Sequence, residues 1–132
     1  SEKEVICWGT GKPLREFMHV NDLGDAVIFA LENWDPNSNG APVDNRGKKL
    51  TFLNVGTGVD ISIKDLAIKI ASYAGFEGKI IWDESKPDGV KKKLLNISRI
   101  KNLGWEPKIN LNKGIKNTIT EYKKSFTKEI KH

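Results

Sequence analysis

Five polar side chains in this sequence have the types needed to grip a phosphorylated sugar: Arg15, Lys86, Asp88, Lys92 and Lys93. The planar fork of an arginine suits two oxygens of a diphosphate, a lysine supplies a compact positive charge, and a fixed aspartate accepts hydrogen bonds from sugar hydroxyls. Together they would make a sugar-nucleotide clamp. Composition also allows a plainer reading, in which Arg15 beside Glu16 is a surface pair and Lys91-Lys92-Lys93 a solvated run.

Other familiar chemistry is missing or weakly signalled. Gly56-Thr57-Gly58 follows an apolar stretch and precedes a helical one, but a dinucleotide fingerprint needs a third glycine, and the position three after Gly58 is Ile61. A tight strand-to-helix turn is the expected role. Hydride-transfer enzymes of the short-chain class acidify a tyrosine with a lysine four residues on. Here Glu77 follows Tyr73 at that distance, and Phe126 follows Tyr122. Cys7, inside an apolar run, reads as an inert core thiol rather than a nucleophile, and His19 as a packing or hydrogen-bonding residue rather than a base. His132 is the chain end. With one Cys and two His so placed, no metal-ligand cluster is expected, and neither catalytic nor cofactor-binding residues are assigned.

The elements that would position the clamp follow from periodicity. Val5 to Trp8 reads as a short strand, Gly9 to Pro13 as a loop, and Arg15 to Val20 as a second extended stretch. Leu23, Ala26, Val27, Ala30 and Leu31 then recur at helical spacing behind an N-cap at Asn21 or Asp22. Residues 35–50 are dense in turn formers and read as a long surface loop without an apolar face to bury. Thr51 to Val55 reads as a buried strand. Ser62 and Asp65 resemble a capping box ahead of a helix whose stripe is Ile63, Leu66, Ala67, Ile70 and Ala74, stopped by Gly75. Lys79 to Trp82 reads as a strand and Glu84 to Gly89 as a loop. A short helix from Ser98 closes at Gly104, and a last helix from about Asn112 carries Leu111, Ile115, Ile119, Tyr122, Phe126 and Ile130. Strands alternating with helices give an α/β class.

The chain has 132 residues, 38% hydrophobic and 30% charged, which is room for one domain and not for a complete two-domain enzyme. No apolar run approaches the length that spans a bilayer. Ser-Glu-Lys-Glu at the start lacks a secretory pattern, and a single cysteine suits a reducing compartment, so a cytoplasmic protein without membrane contact is expected. The net charge of +5 is uneven: residues 1–85 hold nine basic and thirteen acidic side chains, net −4, and residues 86–132 hold thirteen and four, net +9. Such a basic stretch is a solvated helix face, or it attracts anions such as nucleic acid. The aromatic residues among these lysines belong to the apolar stripe, which leaves no stacking platform for a nucleic acid.

The run from Trp8 to Leu23, Trp-Gly-Thr-Gly-Lys-Pro-Leu-Arg-Glu-Phe-Met-His-Val-Asn-Asp-Leu, resembles the segment after the Rossmann core in GDP-L-fucose synthases, which are extended short-chain dehydrogenase/reductases. Asn54 to Gly58, Ile61 to Ile63, Trp82-Asp83, Ser85 to Gly89, Lys92 to Leu95 and Leu103 to Trp105 continue the likeness in order. The likeness runs from about Val5 to Phe126. Four features depart from it. Asn21 and Asn96 stand where the family commonly has aspartates, Lys91-Lys92 where it has Pro-Arg, and the 35–50 loop is longer.

The resemblance implies an α/β substrate-binding portion, 1–132, C-terminal to a Rossmann core that is largely absent here. It implies a GDP-sugar held by residues matching Trp8, Arg15 and Asp88, with Lys86, Lys92 and Lys93 nearby. The full-length enzyme would be an NADP-dependent homodimer that epimerises and reduces GDP-4-keto-6-deoxy-mannose. Its Ser-Tyr-Lys set and NADP-binding glycines lie upstream, so this chain alone would bind no cofactor and have no activity. The corresponding part of another nucleotide-sugar epimerase or dehydratase is the alternative, with a basic nucleic-acid-binding module behind it.

Overall fold

The computed structural model describes residues 3–129, with side chains over 3–125. Expectations for Ile130, His132 and the side chain of Phe126 therefore lie outside the described residues. The fold is α/β, and the chain divides into two compact units, one built from the segments 1–15, 60–93 and 111–132 and the other from 16–59 and 94–110.

The first unit starts with β1, Glu4–Trp8, which pairs in parallel with β4, Lys79–Asp83, in the register Glu4↔Lys79 to Trp8↔Asp83. Parallel neighbours need a long crossover, and the intervening chain supplies it with α2, Ile63–Ala74. A three-stranded sheet has β2, Leu14–Glu16, between β3, Asp60–Ser62, and β5, Lys92–Lys93. Neither three-residue β3 nor two-residue β5 announces itself as a periodic run. The start of α2 is set by Ser62, whose hydroxyl accepts the Asp65 N–H at 3.0 Å and donates to the Asp65 carboxylate at 2.6 Å. Gly75, left-handed at φ +75°, ends it. The stripe of α2 is only partly covered, with no residue of the helix fully buried. α4 occupies Leu111–Glu129 and contributes the buried Ile115.

The second unit is organised by α1, Val20–Asn33, and α3, Ser98–Asn102. The N-cap of α1 is His19, two residues before Asn21 and three before Asp22: its Nδ1 accepts the Asn21 N–H at 3.1 Å. Asn21 and Asp22 thus fall inside the helix, Val20 is helical rather than extended, and His19 acts as a cap. Asp22, freed from capping, is buried and accepts the Ile109 N–H at 2.9 Å. Ala26, Ile97, Ile100 and Trp105 form the core, with Met18, Phe29, Leu53 and Val55 against it. Trp105 donates through Nε1 to Asp25 at 2.9 Å, and Lys108 Nζ sits 2.9 Å from the same carboxylate. These two donors, Lys108 foremost, hold the Asp25 carboxyl below its ordinary value.

Two expectations change in this unit. Thr51 to Val55 forms no strand; the segment is irregular, and Leu53 and Val55 reach the core while Phe52 stays exposed. Its apolar side chains serve packing without strand pairing. The 35–50 segment is turn-rich as expected, but it anchors itself by burying Ala41 and Leu50 and closes on a Val43↔Lys49 antiparallel bridge.

Ile100 has no exposed surface, whereas Leu31 on α1 is 82% exposed. Ile100→Ala should therefore cost about 3 kcal/mol in urea denaturation, through lost burial and a residual cavity. Leu31→Ala should shift the same transition by no more than about 0.5 kcal/mol. Equal losses would mean that the core of this unit lies elsewhere.

Candidate functional site

Within the first unit, Trp8, Gly11, Pro13, Arg15, Ile63, Pro87, Asp88 and Gly89 line an open hollow of about 150 Å3. Its floor is the Gly9–Pro13 loop, tied to the start of α2 because Ile63 N–H donates to Pro13 O at 3.0 Å and Lys64 N–H to Gly11 O at 2.9 Å. Its wall is the Glu84–Gly89 loop, fastened by one carboxylate. Asp88 accepts from the Thr10 N–H at 2.8 Å and from the Thr10 hydroxyl at 2.5 Å. Gly9 sits at φ +81°, and a Cβ there would overlap the Asp88 carboxylate, so close approach and backbone conformation both require glycine.

Arg15 is half-buried on β2. Its Nη1 donates to the carbonyls of Leu14 and Val90, each at 2.7 Å, which fixes the plane of the guanidinium. A Cβ on Gly89 would lie 2.9 Å from Nη2, so the second arm of the fork points at the Asp88-Gly89 turn. Among the described residues Nη2 and Nε meet no acceptor in the protein, which leaves donors for an incoming anion.

The expected residues do not all converge. Trp8, Arg15 and Asp88 share the hollow. Lys86 lies at its edge, with Nζ 5.8 Å from the centroid of the Trp8 ring. Lys93 is exposed and is the register partner of Arg15, and paired residues of neighbouring strands project to the same side of a sheet. Lys92, one residue earlier, projects oppositely and forms an ion pair with Asp60 at 2.9 Å. Cys7 is half-buried in β1 and is not among the lining residues. No group of three or more His, Cys, Asp or Glu suited to a metal occurs among the described residues.

Two residues with structural work, one in each unit, were missed in the sequence. Thr10 carried no motif of its own; its role appears only when the chain brings it to Asp88. Glu16 was weighed only as a surface partner for Arg15. It turns instead to the glycine loop, where Oε1 accepts from Thr57 N–H at 2.6 Å and Gly58 N–H at 2.5 Å, while Oε2 accepts from Leu95 N–H at 3.1 Å. The Thr57 and Gly58 amides are thus satisfied by the chain's own carboxylate and do not fit the pyrophosphate of a dinucleotide. The loop leads into β3 rather than directly into a helix.

The Thr10 hydroxyl, then the Thr10 N–H, hold the Asp88 carboxyl below its ordinary value. A lowered folded value means that the Thr10–Asp88 link contributes above the unfolded carboxylate value, near 4, and is lost as pH falls through the folded one. Following the Thr10 amide by NMR, we expect a titration midpoint below that of a free aspartate, and an upward move in Thr10→Val, which keeps the N–H but deletes the hydroxyl. An unmoved midpoint would show that the hydroxyl does not govern Asp88.

Comparison with known proteins agrees with this fold. Residues 1–43 match the NAD dependent epimerase/dehydratase family. The chain is 41% identical to GDP-L-fucose synthase 1 of Arabidopsis thaliana over 93% of its length, and 41% identical to the GDP-L-fucose synthase of Escherichia coli over 87%. It covers 34% and 35% of those two proteins, so the chain spans about a third of the length of the relatives it matches. The crystal structure of a GDP-6-OMe-4-keto-L-xylo-heptose reductase from C. jejuni superimposes with a TM-score of 0.81 at 40% identity, over 93% of this chain and 34% of that one. Over the third of those proteins that it spans, the chain is thus similar in sequence to GDP-L-fucose synthases and in sequence and fold to a GDP-sugar reductase, and its first 43 residues resemble the NAD dependent epimerase/dehydratase family.

Proposed function

We propose that this chain is the C-terminal, substrate-binding part of a GDP-L-fucose synthase-type enzyme, and that its hollow holds the diphosphate end of a GDP-sugar. One observation carries the reading: Arg15 and Asp88, far apart in the sequence, line a single cavity with Trp8 beside them. The free arm of Arg15 suits diphosphate oxygens, and a planar fork already fixed by two carbonyls loses little freedom on binding. Lys93 adds positive charge on the same side. Asp88, ionised and partly engaged by Thr10, retains lone pairs for a sugar hydroxyl. Lys92 would join the clamp only by releasing Asp60.

In the full-length enzyme the reading assigns epimerisation and reduction of GDP-4-keto-6-deoxy-mannose, with NADP supplying hydride, in a cytoplasmic homodimer. The residues present here bind and orient the substrate and perform no proton or hydride transfer. Neither tyrosine has a lysine four positions on, and the glycine-loop amides are already engaged by Glu16. The isolated chain is accordingly inactive. The alternative, the same part of another nucleotide-sugar epimerase or dehydratase, uses the same hollow with a different sugar.

Titrating the chain with GDP should move the NMR signals of Trp8, Arg15 and Gly89. Arg15→Lys, which keeps the charge and removes the fork, should weaken binding by about tenfold or more. NADPH should not be consumed when the keto-sugar is added. Signals that stay in place, or turnover by the purified chain, would each defeat the corresponding half of the proposal.

A further inference from the structure

We infer that the second unit carries a binding site for a small aliphatic carboxylic acid, between the 35–50 segment and α3, with Arg99 gripping the carboxylate. The inference is independent of the reading proposed for the hollow beside Arg15.

Gly40, Pro42, Val43, Arg99, Asn102 and Leu103, all within the second unit, line a cavity of about 230 Å3. Three of the six belong to the 35–50 segment, where the sequence departs from its likeness to the GDP-L-fucose synthases. Both walls are held from behind. Ile97 and Ile100, 6% and 0% exposed, pin α3 to the core. On the other wall Ala41 and Leu50 are buried, and the Leu50 N–H donates to Pro42 O at 3.0 Å beside the Val43↔Lys49 bridge. Walls fastened in this way form the cavity before a ligand arrives.

Arg99 is the charged member of the lining, and no acid stands among the six. Its Nη2 donates to Val43 O at 3.2 Å, which ties the guanidinium to the opposite wall. Among the described residues its other nitrogens and the Asn102 carboxamide donate to no protein group. Arg99 and Asn102 are three apart on α3 and so share a face. Asp44, the acid next to Val43, is turned into its own bend, where Oδ1 accepts from Arg46 N–H at 2.8 Å and Lys48 N–H at 3.0 Å. Among the described residues Arg99 enters none of the ion pairs.

A planar fork beside an amide donor matches the two oxygens of a carboxylate. Pro42, Val43 and Leu103 make the rest of the lining apolar, and Val43 is 44% exposed, a surface that a hydrocarbon group would cover and a hydrated phosphate would not. The volume falls short of the roughly 300 Å3 at which pockets for drug-sized ligands begin, which limits the ligand to a few heavy atoms. An acid with a short branched chain meets all three conditions.

The test is a titration of the chain with isovalerate, isovaleramide, acetate and inorganic phosphate, following Val43, Leu103 and the Arg99 Nε–H by NMR. Isovalerate should saturate with a dissociation constant of about 1 mM. The other three should bind about tenfold more weakly: the amide lacks charge, acetate lacks hydrocarbon, and phosphate lacks hydrocarbon and the planar shape. Arg99→Lys, which keeps the charge and removes the fork, should weaken isovalerate by about tenfold. Val43→Ser, at a half-exposed position, should narrow the gap between isovalerate and acetate by about threefold. Arg15→Lys should leave isovalerate binding unaltered. Isovaleramide or phosphate binding as well as isovalerate, or an Arg99→Lys chain that binds like the parent, overturns the carboxylate assignment. Acetate equal to isovalerate overturns the apolar half of the site. Shifts at Trp8 and Gly89 in place of Val43 and Leu103 overturn its location, and failure to saturate by about 10 mM overturns the site itself.

Discussion

The two hydrogen bonds from Thr10 to Asp88 are what make a cavity out of two loops. Neither Gly9–Pro13 nor Glu84–Gly89 has an apolar core of its own, and each is positioned at one end by a strand of the β1–β4 pair. A carboxylate bridging to a backbone N–H and a hydroxyl of the opposite loop closes the gap that strand pairing leaves open. Charge-assisted hydrogen bonds of this kind are shorter and stronger than neutral ones. Arg15 reinforces the same closure from β2 by reaching Val90. The site is thus built from polar contacts on a small scaffold.

The charge pattern makes better sense in three dimensions than along the chain. The sequence shows a basic C-terminal third. By unit, however, the segments that contain the hollow hold sixteen basic and ten acidic residues, and the other unit holds six and seven. The positive surplus thus belongs to the unit that contains Arg15 and the hollow. A field of that sign raises the local concentration of a phosphorylated ligand without specifying which one. In the proposed function, specific recognition is left to the Arg15 fork and the Asp88 carboxylate.

Much of this was legible in the sequence because its signals were local. The capping pair Ser62-Asp65, the stop at Gly75, the positions of the strands β1 and β4 and the short helix ending near Gly104 all followed from spacing and turn chemistry. What escaped were interactions made across long separations. His19 displaced Asn21 and Asp22 as the cap because Asp22 has a distant partner in Ile109. The Thr51 to Val55 run looked like a strand because packing and pairing leave the same apolar signature in a short segment. Arg15 and Glu16, adjacent in sequence, suggested an ion pair, yet successive strand residues face opposite sides and each found a partner far along the chain.

Glu16 also says something about the glycine loop it fills. Three backbone amides, at Thr57, Gly58 and Leu95, converge on the two oxygens of one side chain, an arrangement that elsewhere in proteins receives a dissolved oxyanion. This protein has tethered its own occupant there, so the nest serves as an internal fastening and is closed to solutes. Were that tether shortened or neutralised, the same amides would turn into a receptor in want of a guest.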